Sequence, residues 1–120
     1  MARYRKQKER QTKEYKEQVK ALNDRFRKSF SGGRVMLTAG VAALEPGLRT
    51  NVLEKVRTFE DFDDDNDPWG EHDFIGFEID GQTFFGKIDY YAHDMKHHSD
   101  DPADAAKTVR VLTVMLAEEY

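Results

Sequence analysis

The chain has 120 residues, with 19 Lys and Arg, 23 Asp and Glu and a net charge of −4. It has no cysteine, which excludes disulfide frameworks, thiolate metal sites and cysteine nucleophiles. The length fits one domain, no apolar run reaches the roughly 20 residues of a membrane helix, and the charged start from Arg3 onward lacks the apolar stretch of a secretory signal, so a cytoplasmic protein is expected.

The net charge hides a split. Residues 1–30 carry 11 Lys and Arg against 4 Asp and Glu, whereas residues 31–120 carry 8 against 19. Between Thr58 and Gly86 there are ten acids and no Lys or Arg. Such asymmetry bears on partners more than the total does.

Taken in chain order, residues 1–30 read as a helix. Tyr15, Val19, Leu22, Phe26 and Phe30 form one apolar stripe, and Gly32-Gly33 supplies the stop. Residues 1–14 are polar all round and read as a basic arm, leaving 15–120 as a single domain. Val35–Thr38 predicts a strand, and Gly40–Leu44 a turn or a single helical turn. Leu48–Lys55 predicts a short helix, with Val56–Phe62 alternating like the start of a strand. Asp67-Pro68-Trp69-Gly70 fits a type I turn. Phe74–Ile79 and Thr83–Tyr91 flank Asp80-Gly81, the strongest hairpin signal in the chain. Asp101 as N-cap, Pro102 at the first helical position and Asp104 in the first turn predict a C-terminal helix, with Val109, Leu112, Met115 and Leu116 as its buried stripe. The expected fold class is α+β. A small antiparallel sheet, centred on the hairpin 74–91, is packed by a basic N-terminal helix and a capped C-terminal helix.

The strings TAGVAAL (38–44), VRTFEDF (56–62), DNDPWGEHDF (65–74), FFGKIDYY (84–91), DPAD (101–104) and RVLTVMLAEEY (110–120) resemble an uncharacterised bacterial family, a domain of unknown function. The resemblance spans roughly residues 20–120 and leaves the basic arm outside it. It implies a setting in conjugative plasmids and other mobile elements, but no chemistry. The chain departs from the family's pattern in three places. Gly86 stands for a Trp, Ala92 for an Asp after the two tyrosines, and His98 for a small residue. An activity resting on an acid at position 92 is therefore not expected here.

Four constellations bear on function. The first is Glu60 to Asp67, six carboxylates in eight residues, which repel one another and need water, a cation or a basic partner. As a calcium loop from Asp61 it fails, with Asn66 at the glycine position and His72 where a bidentate Glu is needed. A solvated loop, or a surface that mimics nucleic acid, fits better. The second is Glu71-His72-Asp73, where a strand would point the two carboxylates one way, toward Lys87 or Asp89 of the neighbouring strand, and suit a divalent metal or acid–base work. The better-favoured reading is that His72 and Asp73 hydrogen-bond the turn backbone. The third is His93, His97 and His98, read as a surface cluster rather than a zinc site. The fourth is the arm itself, Arg3, Arg5, Lys6, Lys8, Arg10, Lys13 and Lys16, which suits phosphates, an acidic surface or a dimer through the helix.

Two functions are carried forward. One is a non-enzymatic interaction protein that occupies a basic nucleic-acid-binding site through Asp61, Asp63, Asp64, Asp65, Asp67, Trp69 and Glu71. The mobile-element setting implied by the resemblance points to a host defence complex, of the restriction or CRISPR kind, as its partner. The alternative is a small metal-dependent hydrolase or nuclease using Glu71, His72, Asp73 and Asp89. No resident cofactor and no membrane contact are expected.

Overall fold

The structure, a computed structural model, describes residues 12–120. Most of the basic arm therefore lies outside the described residues. Helix α1 (Lys13–Ser29) begins where the Thr12 hydroxyl accepts the Tyr15 N–H at 3.2 Å. It ends at Phe30, whose left-handed backbone (φ 58°) returns its N–H to the Phe26 carbonyl. Phe30 thus makes the stop ahead of the glycines. Strand β1 (Gly33–Leu37) follows, then the single-turn helix α2 (Ala39–Ala42), capped by Thr38. Helix α3 (Pro46–Thr58) opens with Pro46 in its first turn and buries Val52 and Val56. The hairpin is β2 (Phe74–Ile79) and β3 (Gln82–Tyr91). Its two-residue loop has Asp80 and Gly81 both at positive φ (52° and 79°), as a type I′ turn requires. Strand β4 (Val109–Leu116) completes the described elements apart from 3-10 turns at Ala105–Lys107 and Ala117–Glu119.

The sheet order is β1-β4-β3-β2. β4 runs antiparallel to β3 and parallel to β1, and β2 runs antiparallel to β3. The α+β class holds, with one parallel pair in a mostly antiparallel sheet. The hairpin occupies one side of the sheet, with β2 at the edge, rather than its centre.

Two predicted elements are overturned. Residues 109–116 form no C-terminal helix but a strand between β1 and β3. Val111, Leu112, Val114 and Met115 are buried as two adjacent pairs, a spacing that satisfies a helical stripe and an inner strand alike. The β-branched residues Val109, Val111, Thr113 and Val114 favour the strand. The cap-like residues serve a turn instead. Asp101 accepts the Ala103 N–H (3.2 Å), and Asp104 accepts the Ala106 N–H (2.9 Å) to start the 3-10 turn. The strand expected from Val56 is likewise absent, because Val56, Arg57 and Thr58 finish α3.

One sheet face is covered by helices. Val19 and Phe26 of α1, Val41 of α2 and Val52 and Val56 of α3 pack on Ile75, Phe77, Phe84, Ile88, Leu112 and Val114. Burial of each such side chain stabilises by about 1.5–3 kcal/mol. Tyr15, Val19, Phe26 and Phe30 of the α1 stripe thus pack into the chain's own core. The C-terminal turn is tied to α2 by Glu119, which accepts from the Thr38 hydroxyl (2.5 Å) and the Gly40 N–H (2.9 Å). Those donors, with the Leu116 N–H, hold its carboxyl below the ordinary value.

Candidate functional site

Residues 59–73 leave α3 and return to β2 without regular structure, and they carry most of the acids between Thr58 and Gly86. Local hydrogen bonds shape the first half. Asp63 Oδ1 accepts the N–H groups of Asp65 and Asn66, both at 2.9 Å. Asn66 accepts the Asp63 N–H (2.8 Å) and donates to the Asp61 carbonyl (2.7 Å). These bonds consume one oxygen of Asp63 and fix the loop around Asn66. Glu60, Asp61, Asp63, Asp64 and Asp65 are all exposed, and of these Glu60 has a cation nearby, Lys28 at 3.7 Å. Trp69, 47% exposed, sits in the type I turn closed by the Gly70 N–H on the Asp67 carbonyl (3.0 Å).

The second half turns inward. Asp67 is buried, and its Oδ1 accepts the His72 N–H at 3.1 Å. His72 holds a left-handed backbone (φ 56°), stacks on Phe62 with ring centroids 3.6 Å apart, and donates from Nδ1 to Asp24 Oδ1 at 2.8 Å. The Arg27 guanidinium joins the same carboxylate at 3.1 Å and also donates to the Val56 carbonyl at 2.9 Å. This arrangement locks the loop to α1 and α3.

Glu71 is fully buried, at 0% exposure. It accepts the Tyr90 hydroxyl at 3.0 Å. The Asn23 amide donates to the Tyr90 oxygen (2.8 Å) and to the Glu71 carbonyl (2.9 Å), and accepts from Arg110 Nε at 2.8 Å. Arg110 also donates to the Pro102 carbonyl and lies over the Tyr90 ring. Burial, with the charges of Glu71 and Asp73 nearby, pushes the Tyr90 phenol far above its ordinary value. Burial also lowers the pKa of Arg110, while Tyr90, Tyr15 and Glu71 act the other way. The strings GEHDF, KIDYY, DPAD and RVLT therefore meet in one interior network, tied to α1 through Asn23.

Of the seven expected contact residues, Asp61, Asp63, Asp64, Asp65 and Trp69 lie on the surface. Asp67 and Glu71 do not, and Glu71 serves the interior. Nor do Glu71, His72, Asp73 and Asp89 converge in a cleft. Residues 71–73 are not in a strand, and Asp89 alternates with Tyr90, so it projects from the opposite sheet face, where it pairs with Lys87 at 3.3 Å. Among the described residues no group of three His, Asp or Glu side chains is placed to hold a metal ion.

The histidines of 93–98 separate as well. His93 bonds the Ala106 carbonyl, His98 the Ser99 carbonyl, and His97 the Asp94 carboxylate at 2.6 Å. That bond and the Lys96 and His97 N–H groups lower Asp94 to about 2, and the same carboxylate raises His97. Among the described residues no helix is long and apolar enough to cross a membrane.

Sequence reasoning did not single out Glu78. It lines a groove of about 560 Å³ with Glu60, Asp61, Asp63 and Asn66 on one side, Lys55, Thr58 and Phe59 of the α3 end, and Gly76 and Phe77 of β2. The alternation of β2 would have put Glu78 on the surface, but only the fold brings it to the acidic loop. Of the ten acids between Thr58 and Gly86, seven are exposed: Glu60, Asp61, Asp63, Asp64, Asp65, Glu78 and Asp80.

No curated protein and no solved structure matched the chain. Residues 37–119 match a family described as a protein of unknown function (DUF3768), a span that starts at the end of β1 and leaves α1 outside. The chain belongs to this family of proteins of unknown function.

Proposed function

We propose that the chain is a non-enzymatic inhibitor that sets its acidic surface against the basic nucleic-acid-binding site of a macromolecular partner. One observation carries this reading. Seven exposed carboxylates run from the 60–65 loop to the hairpin turn, and four of them, Glu60, Asp61, Asp63 and Glu78, line a groove in which Lys55 is the sole cation among the described residues. A run of like charges that outnumbers its nearby cations raises the local negative potential and steers a basic surface onto it. The partner class is a host defence complex that handles DNA or RNA, such as a restriction or CRISPR complex, and the chain is carried by a mobile element. The buried network has the role of fixing the loop, not of chemistry, since its polar groups are spent on one another.

The test is capture from host lysate at low salt and at about 0.5 M salt, where exposed charges are screened. A nucleic-acid-binding complex captured at low salt and lost at high salt is the expected outcome. The triple variant Asp63→Asn, Asp64→Asn, Asp65→Asn should lose that partner while staying folded, since the amide that replaces the Asp63 carboxylate keeps an oxygen for the two N–H groups bound there. Undiminished capture by the triple variant would sink the reading.

A further inference from the structure

The groove beside the acidic loop is bounded by a strand whose main chain is not fully used. β2 is at the sheet edge and pairs only with β3. Ile79 and Gln82 flank the two-residue loop and so form a hydrogen-bonded pair, and the phase repeats at Phe77 with Phe84 and at Ile75 with Gly86. The Ile88 N–H on the Asp73 carbonyl (2.8 Å) continues it. Phe74, Gly76 and Glu78 therefore turn their N–H and C=O groups away from β3, toward the free edge. Gly76 and Glu78 line the groove. Gly76 is exposed, and the ring of its cross-strand partner Phe85 stands 3.2 Å from where a Cβ would lie, so the space beside it is taken from β3 while its outward N–H and C=O remain at the edge.

We infer that the free edge of β2 is a strand-addition site for an extended Lys/Arg-rich segment of the partner, with Gly76 and Glu78 supplying main-chain hydrogen bonds and Glu60, Asp61, Asp63 and Glu78 taking the cationic side chains. This deepens the acidic-surface reading and rests on it. Charge selects the occupant. Another copy's β2 would bring a second Glu78 and Asp80 against the first, and like charges on an edge disfavour pairing. A basic strand meets complementary charge on the same edge, and the half-buried Phe59 beside it offers apolar surface for the stem of a long side chain. Strand addition draws affinity from main-chain bonds and specificity from alternate side chains.

The test uses three synthetic peptides of about eight residues, the length of an ordinary strand, alternating Arg and Thr. One is unmodified, one is N-methylated at its odd amides and one at its even amides. A strand pairs through one set only. Binding to the full chain is read by fluorescence anisotropy. The expected result is that one methylated register loses about tenfold or more in affinity while the other binds like the parent, because each lost buried hydrogen bond is worth roughly a factor of ten. Equal, salt-sensitive binding of all three peptides overturns strand addition and leaves the acidic-surface reading standing. No binding of the unmodified peptide also overturns it, and lysate capture then decides the broader reading on its own. A free chain that sediments as a dimer, and as a monomer once residues 1–11 are deleted, gives the groove to the chain's own basic segment and overturns the assignment to a partner.

Discussion

The acidic span between α3 and β2 has two halves of opposite fate. From Glu60 to Asp65 the carboxylates face solvent, and the bonds Asp63 makes close within three residues. From Asp67 to Glu71 they turn inward, and Glu71 meets Tyr90 nineteen residues away and Asn23 forty-eight away. A charge run does not decide this by itself. What decides it is whether distant elements bring donors to the site, as α1 brings Asn23 and β3 brings Tyr90. The outward half is then available to a partner, and the inward half is committed to the fold.

The largest break in this contrast is expected at Asn23. Replacing Asn23 by Ala leaves the Arg110 Nε–H, the Tyr90 oxygen and the Glu71 carbonyl without their amide partner in a buried site. A loss of about 3 kcal/mol in unfolding free energy is expected by denaturant titration. Tyr90→Phe comes next, at about 1.5 kcal/mol, since it removes one hydroxyl donor to Glu71 and one acceptor for Asn23. It also changes the alkaline behaviour. The phenol is raised in the folded chain, so above an ordinary tyrosine pKa of about 10 the unfolded chain releases a proton that the folded chain keeps. Stability from this group is complete below about pH 10 and declines above it by up to about 1.4 kcal/mol per pH unit. The Phe variant should lose that part of the slope, and an unchanged slope would remove Tyr90 from the network.

How much of this was legible depends on how local the cause is. The hairpin was readable because Asp80-Gly81 fixes a two-residue turn without outside help. Helix α1 was readable from its stripe, but Asn23 and Arg27 sit on the same buried side, and nothing in the local pattern says that interior acceptors await them. β4 was misread because Val111, Leu112, Val114 and Met115 fit two periods at once, and the choice belongs to the strands on either side. The exposed acids were legible as a run of charge. Glu71 was not legible as interior, because its partners come from α1 and β3, nor Glu78 as a neighbour of the loop, because the groove joins segments distant in sequence.

The smallest expected effects test the contrast most sharply, because the same chemical change is made on both sides of Asn66. Asp67→Asn keeps the oxygen that accepts the His72 N–H but puts an amide where the second oxygen lies 3.6 Å from His72 Nε2. In a buried position that change should cost about 1 kcal/mol. The triple change of Asp63, Asp64 and Asp65 to Asn occurs in solvent, where the groups have no cationic partner among the described residues and repel one another. Its unfolding free energy should stay within about 0.5 kcal/mol of the parent, as for surface substitutions generally. Any shift should favour the variant at low salt and vanish as salt rises, because only the repulsion is screened. A triple variant clearly less stable than Asp67→Asn would mean that the outward carboxylates are bound into the fold, and the acidic face would then not be free for a partner.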